Sequence, residues 1–272
     1  MSSEGASSRA RPQRFTATQS RIKTMRILIL NPNTSSDITG RLAAAAKQAA
    51  AAGTVLSTAT APRGVPYIAT RAEAQIGGAI ALEMLAERHK DYDAAIIAAF
   101  GDPGLFGARE LFDIPVVGMA EASMLTACML GRRFAIVTFA RALGPWYQEC
   151  VDLHGLTGRC AGIRMLDDPF QSIGDVQDEK ESLLAELAGQ AALELEADVV
   201  ILAGAPLAGL AARVRDRVPV PVVDQMAAAV KQAEALVTLG VRKASAGAFR
   251  RPDAKSTVGL PEALAARIER RD

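Results

Sequence analysis

The sequence predicts an α/β fold of two similar lobes, each a parallel sheet flanked by helices, related by pseudo-two-fold symmetry with the site between them. Three observations predict it. The 272 residues alternate short apolar runs with stretches carrying Ala, Leu, Glu, Lys and Gln at helical spacing, the pattern of βαβ units. A strand-plus-loop unit occurs twice, Ala94-Ala95-Ile96-Ile97-Ala98-Ala99-Phe100-Gly101-Asp102-Pro103 being echoed by Val199-Val200-Ile201-Leu202-Ala203-Gly204-Ala205-Pro206. Further on, Ile114-Pro115-Val116-Val117 is echoed by Val220-Pro221-Val222-Val223, so the copies differ by a three-residue insertion. An apolar run closed by a Gly/Pro turn reads as a buried parallel strand whose C-terminal end opens into a loop. Ligands of open α/β sheets bind outside such ends, so two of these loops facing each other enclose one small site.

Taken in order, residues 1–24 are rich in Ser, Arg, Thr and Gln and lack the apolar stretch of a secretory signal or membrane anchor. They read as a disordered extension, with Met25 opening the folded domain. Strands are predicted at Arg26–Leu30, Thr54–Thr60, Ala94–Ala99, Val116–Gly118, Phe134–Thr138, Cys160–Met165, Val199–Leu202 and Val222–Val223. Helices are predicted at Ser36–Ala51, Arg71–Arg88, Met124–Leu130, Leu143–Leu153, Asp178–Glu194 and Met226–Leu239. The Ala-rich run within the first helix is broken by Lys47 and Gln48 and is too short to span a bilayer. The first lobe is expected over 25–118, completed by a helix over 224–240, and the second over 119–223. A polar tail over 241–272 ends in a short surface helix.

Composition narrows the partners. With 31 basic and 30 acidic residues the net charge is +1, so no basic field holds nucleic acid or an anionic membrane. A small neutral or anionic molecule is the expected partner. Three cysteines, Cys128, Cys150 and Cys160, without pairing spacing point to reduced thiols in a cytoplasmic protein and to buried structural roles. Two histidines with no HxH or HExxH spacing argue against a metal site, and His89 and His154 read as helix ends, His89 on the surface. Neither a phosphate-binding GxxxxGK[ST] nor a GxSxG elbow occurs.

Several loops carry polar groups at strand ends. After the first strand, Asn31-Pro32-Asn33-Thr34-Ser35-Ser36 offers side-chain caps and leaves the amides of the next turn facing outward, a place for a carboxylate or imide oxygen. Thr138 is the matching hydroxyl of the second half. The glycines of Gly101-Asp102-Pro103-Gly104 and Gly204-Ala205-Pro206 allow a close backbone approach to a ligand. Asp102 is a candidate general base, although an Asp before Pro also organises its own turn. The stretch from Arg63 to Arg71 sets two guanidinium groups and the Tyr67 phenol around a Gly/Pro bend, so that Arg63 or Arg71 can read a carboxylate or can simply be solvated.

In Asn31-Pro32-Asn33-Thr34, Phe100-Gly101-Asp102-Pro103-Gly104-Leu105, Pro115-Val116-Val117-Gly118 with Glu121, and the repeat near Gly204, the sequence resembles the aspartate/glutamate/hydantoin racemase superfamily. It is most similar to the hydantoin and allantoin racemase branch. The resemblance covers about Met25 to Gly240 and implies two α/β halves with the active site between them, no cofactor, and a homo-oligomer. It also implies racemisation by two cysteines on opposite faces of the substrate, one removing the Cα proton and the other returning one. At the matching positions this sequence has Ala99 and Gly204, neither of which moves a proton.

The resemblance therefore implies a cofactor-independent racemase or isomerase of a small carboxylate, hydantoin or ureide with other acid/base groups. Candidate catalytic residues are Asp102, Glu121, Asp224 and Tyr67. Candidate substrate-binding residues are Asn33, Thr34, Arg63, Arg71, Ala99, Phe100, Gly101, Ser123, Thr138, Ala203, Gly204 and Ala205, with no metal ligand among them. The alternatives are a ring-opening hydrolase or decarboxylase on the same scaffold, or a catalytically silent protein that binds a small ligand.

Overall fold

The computed structural model describes residues 24–272 apart from residues 168, 170, 171 and 174. The expected extension over 1–24 thus lies outside the described residues except for Thr24. Eight strands make two four-stranded parallel sheets. The first contains β1 (Met25–Asn31), β2 (Thr54–Thr60), β3 (Ala94–Ile97) and β4 (Val116–Gly118) in the order β2-β1-β3-β4. The second contains β5 (Phe134–Thr138), β6 (Cys160–Met165), β7 (Val199–Ala203) and β8 (Val222–Asp224) in the order β6-β5-β7-β8. The two orders are the same permutation, so the sequence echo between β3 and β7 is a topological one: each is the strand beside the first of its sheet.

The central strands β1, β3, β5 and β7 are apolar on both faces because both faces are covered. Ile27 and Ile29 join a core cluster that runs on into the second lobe, while Leu28 and Leu30 join a separate cluster on the other face of the first sheet. The register Ile27↔Ala94 and Ile29↔Ile96 carries the same alternation into β3, where Ala94 and Ile96 face the shared core and Ala95 and Ile97 the other.

Helices α1 (Ser36–Ala49), α2 (Arg71–Arg88), α3 (Leu105–Leu111), α4 (Met119–Leu130), α5 (Gly144–Leu153), α6 (Val176–Glu194), α7 (Leu210–Val214) and α8 (Gln225–Thr238) complete the lobes. Helix α4 leaves β4 without a loop and packs across β7 of the second sheet, and α8 leaves β8 and packs across β3 and β4 of the first. The two helices pack against each other where they cross. Each sheet is thus roofed by a helix that follows the other sheet's last strand.

Three expectations need correction. His89 is not on the surface: it is 6% exposed, with Nδ1 3.2 Å from the carbonyl oxygens of both Leu85 and Ala86 and its ring against Phe112. The tail helix α9 (Glu262–Glu269) is not a free surface helix either, since Leu264, Ala265 and Arg267 are buried where it lies on α2. Arg267 is its anchor, donating to the Leu111 carbonyl at 2.7 Å and to the carboxylates of Asp113 and Asp272 at 2.6 and 2.8 Å. Of the cysteines only Cys150 is buried, Cys128 and Cys160 being partly exposed.

Candidate active site

The C-terminal ends of β1, β3, β5 and β7 converge between the lobes on a narrow cavity of ≈ 20 Å³. Its walls include Asn33, Tyr67, Ala99, Phe100, Phe139, Trp146, Tyr147, Gly204 and Ala205. Ala99 and Gly204 therefore share one cavity. Aromatic rings fill most of the space between them: Phe100 packs on Tyr147 at 4.7 Å between centroids, Trp146 on Tyr147 at 5.6 Å, and Tyr67 on Phe139 at 5.9 Å. Such a volume has room for about one water molecule.

The loop after β7 is held rigidly. Gln225, fully buried at the start of α8, accepts from the Gly204 amide at 3.0 Å and donates to the Gly204 carbonyl. Gln177 donates to the carbonyls of Pro206 and Ala208 at 2.7 and 2.8 Å, and Asp224 accepts from the Gly209 amide at 2.6 Å. Gly204 has φ +114°, a conformation that side chains resist, and a Cβ there would lie 2.7 Å from Phe139 Cε1 and 3.4 Å from the Tyr147 hydroxyl. The Tyr147 phenol thus stands where a side chain at position 204 would reach.

Two phenols are the titratable groups among the described residues lining the cavity. The Tyr67 hydroxyl is buried with no hydrogen-bond partner. Burial, and behind it the nearby charge of Glu73, raises Tyr67 far above the ordinary tyrosine range. Burial likewise raises Tyr147, with Tyr67 as a further cause, and hydrogen bonding to Thr138 offsets part of it. Thr138 in turn donates to the Ala203 carbonyl at 2.9 Å. On the other wall, Asn33 Oδ1 accepts from the Ser35 amide at 2.9 Å and from Asn31 Nδ2 at 3.0 Å, which fixes the entry to α1.

The three carboxylates expected to catalyse are employed elsewhere. Asp102 Oδ1 and Oδ2 each accept at 2.8 Å from a backbone amide of α4, those of Ala120 and Glu121. The N-cap of that helix is Gly118, and a side chain on Gly118 would overlap the Asp102 carboxyl. Asp224 caps α8 directly, accepting from Met226 and Ala227 at 3.0 and 2.9 Å. The halves thus meet the same need in different ways: α8 carries its own cap, whereas α4 receives one from the loop after β3. Glu121 pairs with Arg109; burial opposes its charge, but His154 and Arg109 outweigh that and pull it down to about 2. None of the three lines the cavity.

The binding candidates divide in the same way. Asn33, Ala99, Phe100, Gly204 and Ala205 line the cavity. Thr138 and Ala203 lie directly behind it through their mutual hydrogen bond. Thr34 is half-buried and ties its amide to the Val65 carbonyl at 2.9 Å, and Ser123 turns inward to the Met119 carbonyl. Arg63 is exposed and pairs with Glu83, and Arg71 is exposed and pairs with Glu149. Gly101 and Arg71 belong instead to a neighbouring groove of ≈ 510 Å³ between α2 and α5. Trp146 lines both spaces and is the partition between them.

Sequence reasoning missed Phe139, Trp146 and Tyr147 as walls, and it missed a buried cluster beside the groove. There His154 Nε2 lies 3.3 Å from Asp102 Oδ2, and Nδ1 lies 3.4 Å from Glu121 Oε1, with the imidazole side chain 4% exposed. Burial disfavours the imidazolium, but Asp102, the Cys150 sulfur and Glu121 outweigh it and raise His154 to about 11. Burial pushes the Cys150 thiol up to about 11. The one legible sign was the four-residue spacing of Cys150 and His154, which puts both on one helix face.

Two equivalent parallel sheets whose strand ends close on a shared, ring-lined cavity define a two-lobed α/β enzyme of the racemase type. The pattern of the Asp/Glu/Hydantoin racemase family matches residues 27–233, and the chain belongs to that family. It is 34% identical to the hydantoin racemase of Paenarthrobacter aurescens over 233 residues, which is 85% of this chain and 99% of that protein. Allantoin racemase from Klebsiella pneumoniae superposes with a TM-score of 0.83 at 34% identity, covering 88% of this chain and 98% of that one. Allantoin racemase from Pseudomonas fluorescens superposes with a TM-score of 0.81 at 31% identity, covering 86% and 100%.

Proposed function

We propose that the chain is an isomerase that exchanges the Cα proton of a small cyclic ureide of the hydantoin or allantoin class, with the phenols of Tyr67 and Tyr147 in place of thiols. The observation that carries this reading is the pairing of two buried phenols, one without a partner, in the cavity bounded by Ala99 and Gly204. Racemisation needs one group that takes a proton and one that holds a proton to return. Two phenols in one low-dielectric space provide that difference, because ionising either opposes ionising the other. The ionised phenol accepts the Cα proton, and the neutral one delivers its O–H proton to the opposite face. The similarity to hydantoin and allantoin racemases supports the substrate class, and the Asn33 amide on the wall suits a ring of alternating N–H and C=O groups.

Entry follows from the partition. A cavity of ≈ 20 Å³ admits no hydantoin ring, so substrate enters from the groove as the Trp146 indole swings aside. The test is proton exchange into hydantoins, allantoin and acidic amino acids in D₂O, followed by NMR for the wild type, Tyr67→Phe and Tyr147→Phe. Exchange in the wild type that falls by about 10²-fold or more in either variant supports the assignment. Wild-type exchange no faster than buffer, or exchange indifferent to both substitutions, overturns it.

A further inference from the structure

The cluster of Asp102, Cys150 and His154 lies outside the cavity and takes no part in the phenol reading. We propose that these three residues form a binding site for one divalent transition-metal ion of the zinc class, set where the loop after β3 meets helix α5. One ligand atom from each, an Asp102 carboxylate oxygen, the Cys150 sulfur and a His154 ring nitrogen, lies within 4.8 Å of the other two. Zinc takes mixed Cys, His and Asp ligands at about 2.0–2.3 Å in a tetrahedron, which separates an oxygen from a nitrogen ligand by about 3.3 Å. The Asp102 Oδ2 to His154 Nε2 separation is 3.3 Å.

The direction of the imidazole is the independent observation. Nε2 is buried and makes no hydrogen bond although Asp102 Oδ2 is near enough for one. At the other end of the ring, Nδ1 is 3.4 Å from Glu121 Oε1, and Glu121 is itself held by Arg109. A carboxylate behind the distal nitrogen of a histidine fixes the tautomer whose other nitrogen presents a lone pair, the arrangement that supports histidine ligands of metals. Asp102 Oδ2 accepts one amide, from Glu121, so a second lone pair remains to it.

Charge and access agree. The carboxylate and a Cys150 thiolate together balance a dipositive ion. Binding requires the Cys150 thiolate and the neutral His154 imidazole, so protons leave as the ion binds and affinity weakens in acid. Asp102 and Cys150 both line the ≈ 510 Å³ groove, which gives the ion a path in and a water as fourth ligand. Cys150 lies one turn after Tyr147 on α5 and adds, behind burial and Tyr67, to the rise of its phenol, so the metal site is tested by ion binding without substrate, a readout separate from the exchange assay.

The experiment is a Co²⁺ titration of the full chain after chelator dialysis, read by absorption, with thermal melting in Zn²⁺ alongside. The expected result is one equivalent of ion, a near-ultraviolet thiolate-to-cobalt band with tetrahedral bands in the visible, and a melting temperature raised by Zn²⁺. Cys150→Ser should abolish the thiolate band, His154→Gln should weaken binding by about tenfold or more, and the Cys128→Ser/Cys160→Ser double variant should keep the full spectrum. Glu121→Gln, which leaves all three ligands, should bind more weakly with the band retained. No bound ion at micromolar Co²⁺ or Zn²⁺, or a thiolate band that survives Cys150→Ser, overturns the proposal.

Discussion

The Trp146 indole occupies the space that a side chain on Gly101 would need, and Gly101 holds φ +110° beside it. The loop after β3 and the first turn of α5 are therefore fitted to each other at the one position where cavity and groove are separated. Trp146→Ala should join the two spaces and destabilise the fold by about 3–5 kcal/mol, the usual cost of deleting a buried large aromatic. Urea unfolding measures the loss. In the proposed reaction the same variant should gain turnover of bulkier 5-substituted hydantoins relative to small ones, a shift in selectivity read from paired kcat/KM values.

A buried hydroxyl without a partner disfavours the folded state by about 1–3 kcal/mol, so Tyr67→Phe should leave the protein as stable as the wild type or more so. If Tyr67 carries a proton in the reaction, this stabilising change should also be the one that removes activity. Denaturant midpoints and D₂O exchange rates on one preparation decide the matter; loss of stability together with retained exchange would contradict the assignment.

Burial raises both phenols above their ordinary range, so at neutral pH the ionised form is scarce and grows about tenfold with each pH unit. The exchange rate should rise with pH through 9 and 10 without a plateau, up to the alkaline limit of the fold. A rate that levels off near neutrality would instead assign the base to another group.

Placing thiols at positions 99 and 204 should be asymmetric in cost. Ala99 has no left-handed backbone to resist a side chain, and Ala99→Cys should cost less than about 1.5 kcal/mol. Gly204→Cys places a side chain at φ +114° against Phe139 and should cost about 1–3 kcal/mol from the backbone alone. Thermal melts of the two single variants give the comparison.

The tail supplies a stability prediction with a definite sign. Burial opposes the charge of Asp272, but Arg267 and Arg251 outweigh it and hold its carboxyl well below the ordinary carboxylate range. A depressed folded pKa means that its contribution is complete above the unfolded value of about 3.9 and is lost as pH falls through the folded value. Helix α9 should therefore stay docked through mild acid and be released in strong acid, while Asp272→Asn should loosen it already at neutral pH. Limited proteolysis across a pH series follows the release.

Strands β2, β4, β5 and β6 are legible in the sequence residue for residue, because β4 and β5 are short apolar runs with sharp boundaries and β2 and β6 are stretches set between helical segments and turns. Helices α3 and α7 are not, since seven and five residues are too few to display a 3.6-residue period. Helix α4 begins at Met119 rather than Met124 because its cap is not adjacent in sequence: Gly118 gives no sign of a helix start, and the carboxylate that completes it comes from Asp102. The same remoteness explains the site. Loop glycines and Tyr67 announce themselves locally, whereas Trp146 and Tyr147 read as ordinary helix residues until α5 is seen leaning over the first lobe. Acidic residues beside strand ends suggest catalysis, but helix amides occupy Asp102 and Asp224 and the Arg109 guanidinium occupies Glu121.

The crossing of α4 and α8 has a consequence for how the molecule is made. Neither half covers β3 and β4 or β7 on its own with the helix that roofs them, so the N-terminal half emerging from the ribosome keeps part of one sheet face bare until residues past 224 are synthesised. Maturation is then a single late event in which both halves lock at once, and a gene fragment ending between β4 and α8 should yield insoluble protein rather than a working half.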